Sequence, residues 1–375
     1  MYHLFKHKRL ERAAFFIGGF MAKLYTRDGW LDFEKLERLS STLNIVIGPR
    51  NSGKTYGKML YNHNKGVPYI FMRTTQKQID TIFINEFSPF GALNRDVGSR
   101  YFCKMLPKSN VAAVYTDYTE KDGKEIPKGR PVNYAVSLLQ VGSIRGFNLD
   151  YVPELIYDEF IKHPGEIIQN YGKSDVMYFD IIMTLNRARE MRGQRPLKQW
   201  LFGNSDNLGV PILQSLRLIR VITSMLENGE NYRKLPERDI SIFLCMDSPA
   251  ARKMKEISAI EKIITGTDYA AMAFENNFVN DDFSGCRPQP IGQYTPLAII
   301  GKVMLMEHKT KDLYYVRAFD SDVINGVPIY KNTTAGRELF RNNYGFLYFH
   351  YLNDGILFSS YNEKLFVRDL LKIDS

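Results

Sequence analysis

The chain has 375 residues, which exceeds the roughly 250–300 residues at which a single hydrophobic core stops growing, so we expect more than one domain. Hydrophobic residues make up 44% and charged residues 24% of the chain, which excludes an intrinsically disordered protein. The 50 Lys and Arg outnumber the 41 Asp and Glu, and the resulting formal charge of +9 favours a polyanionic partner such as nucleic acid without identifying it.

The cysteines and histidines argue against a disulfide scaffold and against a zinc cluster. Cys103, Cys245 and Cys286 stand far apart without C-x-x-C spacing, and no H-E-x-x-H pair occurs. No apolar run reaches the ~18–20 residues that a membrane-spanning helix needs. Residues 6–24 are basic and amphipathic without a small-residue cleavage pattern, so we interpret them as a helix of a cytoplasmic protein and not as a signal peptide.

Strands and helices alternate through the first half of the chain. Apolar runs predict strands at 43–47, 68–72, 155–157 and 197–202, and helices are predicted at 33–39, 54–64 and 75–87. Within 111–138, alternating residues around Lys121-Asp122-Gly123-Lys124 predict an antiparallel hairpin. Such alternation predicts an α/β fold with a parallel sheet covered by helices on both faces.

The character of the sequence changes after about residue 212. Residues 212–228 and 250–263 are predicted to be helical, with a short strand at 240–245, whereas 297–306, 313–319 and 346–358 look like strands. We therefore predict a first domain at 1–212, a helical linker subdomain at 213–262 and a small α+β domain at 263–375.

Residues 48–55 form a phosphate-binding loop motif. Gly48-Pro49-Arg50-Asn51-Ser52-Gly53-Lys54-Thr55 fits G-x-x-x-x-G-K-[ST], and it lies between a predicted strand and a predicted helix. Glycines let the backbone N–H groups turn toward a β-phosphate, and the helix N-terminus adds positive potential. Lys54 is predicted to contact the β- and γ-phosphates and Thr55 to bind Mg²⁺, while Tyr56 completes the predicted nucleotide-binding set.

An acidic pair ends the strand predicted at 155–157. Asp158 and Glu159 follow Leu155-Ile156-Tyr157, and alternation along a strand sends their side chains to different sides. Asp158 is predicted to hold the magnesium shell and Glu159 to accept the proton of the attacking water. The nearest match to the guanine motif, Gly172-Lys173-Ser174-Asp175, lacks the first residue of that motif, so ATP is the predicted nucleotide.

Several polar side chains are candidates for sensing the γ-phosphate. Arg145 precedes the acidic strand, and Arg187 and Arg189 belong to a basic cluster that also includes Arg192 and Arg195. An arginine from a neighbouring subunit can stabilise charge on the γ-phosphate, and Arg145, Arg187 and Arg189 are the candidates for that role. We interpret Arg192 and Arg195 as solvated or as contacts to a phosphate backbone. Asn204, which ends the next strand, is the candidate sensor, and Arg50 faces the nucleotide or the next subunit.

These residues resemble a known family. Leu43-Asn-Ile-Val-Ile-Gly-Pro-Arg-Asn-Ser-Gly-Lys-Thr-Tyr56, Tyr69-Ile-Phe-Met-Arg73 and Leu155-Ile-Tyr-Asp-Glu-Phe-Ile161 resemble the genome-packaging ATPases of small, short-tailed, protein-primed bacteriophages, which are compact relatives of the large terminase subunit. The similarity continues through Asn186-Arg-Ala-Arg-Glu190, Gly203-Asn-Ser205 and Thr265-Gly-Thr-Asp-Tyr269. The phosphate-binding loop and the acidic strand are shared by all such ATPases, whereas Arg50, Asp158-Glu-Phe-Ile161 and Gly266-Thr-Asp-Tyr269 carry the family signal.

The resemblance implies an additional-strand P-loop ATPase domain and a C-terminal domain with an RNase-H-like nuclease fold. It implies a ring of five subunits that pumps double-stranded DNA into a procapsid in the host cytoplasm, at the portal and with a packaging RNA as a further partner. It also implies that Arg145, or Arg187 with Arg189, completes the ATP site of the neighbouring subunit. The first strand of the implied nuclease fold, Pro296 to Met306, carries Gly301 and Lys302 where an acid is needed, so we predict a vestigial nuclease domain that does not cleave.

A second hypothesis is open at this point. The chain could be a nucleotide-switched phage assembly factor in which hydrolysis changes binding without moving DNA. A third reading, a metal-dependent nuclease, fails because Asp281, Asp282, Asp320, Asp322 and Asp354 do not lie mid-strand in a converging pattern. Stimulation of ATP hydrolysis by DNA separates a translocase from a switch.

Overall fold

The described residues of the computed structural model fall into two compact units. They are residues 24–83, 88–107, 109–122, 124–143, 149, 151–163, 166–205, 207–259, 263, 281–319 and 326–373. The first unit includes the described residues up to Ser215 and those between Ser224 and Asn280, and the second includes Leu216–Thr223 and the described residues from Asp281 onward. Residues 6–23 of the helix predicted at 6–24, Arg145 and the Thr265–Tyr269 motif lie outside the described residues.

Strands and helices alternate in the first unit as the sequence predicts, and the elements of both units are numbered here in chain order. The helices are α1 (Phe33–Leu39), α2 (Lys54–Lys65), α3 (Gln76–Phe83), α4 (Pro89–Val97), α5 (Ser174–Met191), α6 (Pro211–Ser215), α7 (Ile219–Glu227), α8 (Pro249–Ile257), α9 (Thr334–Asn343), α10 (Leu347–Leu352) and α11 (Tyr361–Leu371). The strands are β1 (Leu43–Ile47), β2 (Tyr69–Arg73), β3 (Phe102–Met105), β4 (Ala112–Tyr115), β5 (Tyr118–Lys121), β6 (Lys124–Pro127), β7 (Asn133–Ser137), β8 (Glu154–Asp158), β9 (Lys198–Gly203), β10 (Tyr232–Leu235), β11 (Ile240–Leu244), β12 (Tyr294–Ile300), β13 (Val303–His308), β14 (Tyr314–Ala318), β15 (Ile329–Tyr330) and β16 (Ile356–Phe358).

The first unit is built on a nine-stranded sheet of order β10-β11-β1-β9-β8-β2-β7-β4-β3. The six strands from β11 to β7 run parallel, and antiparallel strands are added at both edges. Central strands such as β1 and β8 are buried along their whole length, which explains their uninterrupted apolar sequence. On one face, Phe33 and Leu36 of α1 and Met59 of α2 join the core that contains Val46 and Trp200. The predicted α/β fold with a parallel sheet is confirmed.

The structure differs from the predicted linker subdomain at 213–262. Strands β10 and β11 lie within this range, and β11 pairs in parallel with β1 in the register Ile45↔Ile242. All five residues of β11 are buried, so this strand belongs to the core of the main sheet. The difference arises because β11 pairs with a strand almost 200 residues earlier, and such a contact leaves no local pattern in the sequence.

The second unit contains a five-stranded sheet of order β15-β12-β13-β14-β16. Strands β12, β13 and β14 are antiparallel neighbours, and the two edge strands pair in parallel with β12 and β14. Residues 347–352, for which a strand was predicted, form the helix α10, and only 356–358 of that stretch form a strand. The apolar character of residues 346–358 suggested a strand, but Phe346, Tyr348 and Phe349 in this stretch are exposed. The RNase-H-like assignment stays a prediction.

Two of the acidic residues considered for a nuclease site, Asp281 and Asp282, are engaged by other side chains of the second unit. Asp281 accepts a hydrogen bond of 2.8 Å from the Tyr361 hydroxyl, and Asp282 forms a 2.7 Å ion pair with Lys364. Asp354 has a left-handed backbone (φ 55°) in a turn, and Asp320 and Asp322 lie outside the described residues. In the described part of the chain, no three His, Cys, Asp or Glu side chains are grouped so that they could hold a metal ion. None of the helices described here has the length and apolar character needed to cross a membrane.

Candidate functional site

The phosphate-binding loop connects β1 to α2 at the carboxyl edge of the parallel sheet. Gly48 lies against the chain that follows β11, and a Cβ at this position would lie 2.7 Å from the Cys245 carbonyl oxygen, so only glycine fits. The Gly48 N–H donates to the Gly203 carbonyl at 3.2 Å, which ties the loop to the end of β9. Gly53 precedes α2 in a left-handed conformation (φ 83°) that a side chain rarely adopts. The start of the loop is therefore held between the end of β9 and the residue that follows β11, the two neighbours of β1.

The ammonium group of Lys54 is buried inside this loop. Its Nζ donates to the carbonyl oxygens of Gly48 at 2.8 Å and Pro49 at 2.6 Å, and it also reaches the Ser52 hydroxyl at 3.3 Å. It contacts the Asn204 Oδ1 at 3.3 Å, so the structure brings the predicted sensor to the loop lysine. A cation surrounded by neutral carbonyls in a concave loop is poised for an anion, because a phosphate oxygen is a stronger acceptor than a carbonyl.

The predicted magnesium ligands lie next to each other. The Thr55 hydroxyl donates to Asp158 Oδ1 at 2.6 Å, although the two residues are 103 positions apart in the sequence. Asp158 ends the buried strand β8, and its side chain is itself almost fully buried. A hydroxyl and a carboxylate that converge beside a phosphate loop are the hard oxygen donors that Mg²⁺ prefers. The residues therefore fit a magnesium ion.

Glu159 leaves the strand in a different direction from Asp158. Its backbone adopts a left-handed conformation (φ 55°), which is uncommon outside glycine and indicates a local constraint. The Asp158 carboxylate is buried, whereas almost half of the Glu159 side chain is exposed. The two neighbouring carboxylates thus lie in different surroundings, Asp158 buried beside Thr55 and Glu159 accessible to water.

Arg73 is a site residue that the sequence analysis did not single out as functional. It ends β2, the strand beside β8, and one guanidinium nitrogen lies 2.6 Å from Asp158 Oδ2. Another guanidinium nitrogen forms an ion pair with the Glu159 carboxylate. A single guanidinium therefore holds both members of the acidic pair. The available signal was its position, because the carboxyl ends of neighbouring parallel strands meet at one edge of the sheet.

A buried network of charges anchors α2 behind the phosphate loop. Lys58 is completely buried and forms ion pairs with Glu37 of α1 and, at 2.8 Å, with Glu154, the first residue of β8. Asn62 donates to the same Glu154 carboxylate at 2.8 Å, and Lys198 of β9 also pairs with Glu37. Burial alone raises the pKa of Glu37, but the adjacent ammonium groups lower that pKa below its ordinary value. The network fixes the helix that carries Lys54 and Thr55 to the strand that carries Asp158.

The candidate arginines have different positions. Arg189 is buried on α5 and donates to the carbonyl oxygens of Val152 and Arg195, each at 3.0 Å. These bonds commit its guanidinium to its own chain, which is at odds with the predicted role in a neighbouring site. Arg187 lies on the same helix, but its side chain is outside the described part, as is the whole of Arg145. Arg50 and Asn51 are exposed in the phosphate loop.

An open cavity of about 810 Å³ lies beside the phosphate loop. Its lining is mostly apolar and includes Trp30, Asn51, Gly53 and Tyr56. Trp30 packs so closely on the loop that a Cβ added to Gly53 would lie 3.0 Å from its ring. Burial and a 2.6 Å hydrogen bond to Asp96 raise the pKa of Tyr56 to about 12. The cavity thus presents two aromatic side chains directly next to the predicted phosphate site.

Solved structures with a similar fold come from phage DNA packaging. One is the Phi-28 gp11 DNA packaging motor, with a TM-score of 0.62, 14% sequence identity, and coverage of 93% of this chain and 99% of that chain. Another is the bacteriophage Phi-29 viral genome packaging motor assembly, with a TM-score of 0.57, 16% identity, and coverage of 92% and 98%. At these identities the similarity establishes the fold. No protein-family model and no curated protein sequence matches the chain.

Proposed function

We propose that this protein is an ATPase that moves double-stranded DNA into a viral procapsid as one subunit of a homo-oligomeric ring. One observation carries the ATPase part: Lys54, the Thr55–Asp158 pair and Glu159 meet at the same edge of the sheet. The fold that the chain shares with two phage packaging motors over more than 90% of its length supports the DNA-moving part. The excess of basic residues is in keeping with a nucleic-acid partner.

The loop residues from Gly48 to Tyr56 would hold ATP. On binding, the Lys54 ammonium exchanges the carbonyls of Gly48 and Pro49 for phosphate oxygens. Thr55 and Asp158 would hold Mg²⁺, which supplies positive charge next to the β- and γ-phosphates when it is bound. Asn204 lies close enough to Lys54 to respond to the γ-phosphate.

Glu159 acts as the general base for the attacking water. Its exposed carboxylate can contact water, and its negative charge is held in place by Arg73. Since the same guanidinium pairs with Asp158, a change at the metal site also changes the partner of Glu159. Arg73 is therefore a positioning residue that links metal binding to the placement of the base.

The ring would be formed through contacts that include α5. Val176, Met183 and Met191 of this helix are each more than 60% exposed, an unusual amount for apolar side chains. These residues recur at intervals of seven and eight positions, so they share one face of the helix. Arg187 belongs to the same helix, and a neighbouring copy packed against it would receive Arg187 near its ATP site. The pentameric state, a portal partner, a packaging RNA and a vestigial RNase-H-like domain at the C-terminus are further parts of this proposal.

Stimulation by DNA tests the proposal against an assembly switch. We expect ATP hydrolysis by the full chain to rise at least several-fold when long duplex DNA is added, because a translocase couples turnover to its track. Steady-state phosphate release with and without duplex DNA, at fixed ATP and magnesium, measures this effect. Equal rates under both conditions, with active enzyme, would favour a nucleotide-switched assembly factor.

The tryptophan next to the loop gives a test of where the base of ATP binds. We expect the base to stack on Trp30, because this side chain both lines the cavity and packs against Gly53 of the phosphate loop. The chain has two tryptophans, and Trp200 is fully buried in the core, so ATP should change the fluorescence of Trp30. Trp30→Ala should weaken ATP binding by about 5- to 150-fold, the range of base–aromatic stacking. Tripolyphosphate, which lacks a base, should bind both proteins equally.

The controls for this test use the other tryptophan and the missing base. Trp200→Phe should retain the fluorescence change, and Trp30→Phe should lose most of it while keeping an aromatic surface. An equal loss of ATP and tripolyphosphate binding in Trp30→Ala would show that Trp30 only supports the loop.

A further inference from the structure

The hairpin formed by β5 and β6 separates its charges between two faces. The cross-strand pairs are Thr119↔Ile126, Glu120↔Glu125 and Lys121↔Lys124. Opposing residues of an antiparallel pair share a face, and successive residues along a strand alternate between faces. The face with Lys121 and Lys124 therefore also carries Thr119 and Ile126, and the other face carries the two glutamates with Tyr118 and Pro127.

The pairing places like charges directly opposite each other twice, which destabilises an isolated hairpin. Within the described part of the chain, none of Glu120, Glu125, Lys121 and Lys124 has an ion-pair partner, and all four are exposed. A local rule that is broken without a compensating contact is expected at functional sites. Across 118–127 the two lysines stand against Glu120, Glu125 and, in the turn, Asp122, a net charge of −1 (2 − 3). The hairpin as a whole therefore does not attract anions, and its positive charge lies on the lysine face.

The glutamate face is the one turned toward the body of the first unit. Tyr118 on that face contacts Phe102 of β3, with ring centroids 5.3 Å apart, and the Arg100 guanidinium lies 5.0 Å from the Tyr118 ring. The lysine face points to the opposite side, and Ile126 on it is 43% exposed. The ribbon forms a two-stranded sheet of its own and does not join the nine-stranded sheet. Two lysines are thus presented on a free surface of a ribbon.

We propose that the lysine face of this hairpin contacts the phosphodiester backbone of duplex DNA during translocation. Lysine side chains are long and flexible, so two of them on one face can neutralise neighbouring phosphates without reading the bases. The glutamates on the opposite face would repel the phosphates, so that face would point away from the DNA. This inference rests on the proposed DNA-moving function, and it identifies the surface of the protein that contacts the DNA.

The salt dependence of duplex binding tests the inference with two matched double variants. Lys121→Gln/Lys124→Gln should reduce the slope of log affinity against log salt by about 1.8, which is about 0.9 for each lost phosphate contact. The loss of affinity between about 50 and about 200 mM salt then becomes about 12-fold smaller. Glu120→Gln/Glu125→Gln changes the net charge by the same magnitude with the opposite sign on the other face, and it should leave the slope unchanged. Lys121→Arg/Lys124→Arg should restore it.

The possible outcomes separate this inference from the proposed function. ATP hydrolysis without DNA should be the same in all these variants, which shows that the site is intact. A wild-type slope in the lysine variant, or equal and opposite slope changes in the two double variants, would overturn the face-specific contact. The inference would also be overturned if Lys121→Gln/Lys124→Gln bound duplex DNA normally but lost binding to single-stranded RNA or to an acidic protein. If the wild-type protein itself binds no duplex DNA, the proposed function fails instead.

Discussion

Replacing Glu159 with glutamine should leave ATP binding close to that of the wild type and lower turnover by about 10²- to 10⁴-fold, the usual contribution of a general base. The amide has nearly the same shape as the carboxylate, but it cannot accept the proton of the attacking water. The phosphate-binding groups, Lys54 and the Thr55–Asp158 pair, are untouched by this change. Single-turnover hydrolysis and equilibrium binding of ATP, measured on the same protein, separate the two effects.

Two comparisons make the Glu159 result interpretable. Glu237→Gln, an equivalent change at an exposed position outside the site, should have wild-type turnover. Lys54→Ala should lose ATP binding itself, which distinguishes a binding defect from a chemical one. Brisk hydrolysis by Glu159→Gln would remove this residue from the mechanism and leave it with a structural role as a partner of Arg73.

The elements that carry the phosphate site were predictable because each depends on local sequence. The run Leu43–Ile47 is apolar at every position but one because β1 is buried between two strands, and the glycines of the loop follow from contacts that exclude a Cβ. Thr55 and Asp158 were expected to lie close together because both were assigned to the same magnesium ion, and their side chains are in contact. Residues whose type is set by one local requirement, such as burial in a strand or the lack of room for a Cβ, can therefore be recognised from a single sequence.

The parts that were missed depend on contacts between distant segments. Arg73 acquires its role only because β2 lies beside β8; the sequence shows that Arg73 lies at the end of a predicted strand but not which strand is its neighbour. Lys58 is buried between Glu37 and Glu154, and the sequence around Lys58 does not show that these two carboxylates lie beside it. Strand β11 was separated from its sheet for the same reason. In Arg189 the sequence offered a plausible catalytic arginine that the fold uses to hold its own backbone.

Replacing Arg187 with alanine should lower turnover by about 10³- to 10⁵-fold, the range for an arginine that stabilises charge on a γ-phosphate. We expect this arginine to act on the neighbouring subunit, because α5 exposes an apolar face that suits contact with a second copy. ATP binding should change little, since the effect arises in the transition state. Arg195→Ala, an exposed arginine of the same basic cluster, is the matched control and should keep wild-type turnover.

Mixing two inactive variants decides between action within a subunit and action across the interface. Arg187→Ala subunits retain Glu159, and Glu159→Gln subunits retain Arg187, so neither protein alone has a complete site. In mixed rings, an Arg187→Ala subunit placed next to a Glu159→Gln subunit receives the missing arginine, and part of the activity should return. Recovery should peak near equal amounts of the two variants, where such neighbours are most frequent. If Arg187 served its own subunit, no mixture would hydrolyse ATP faster than the sum of its inactive parts.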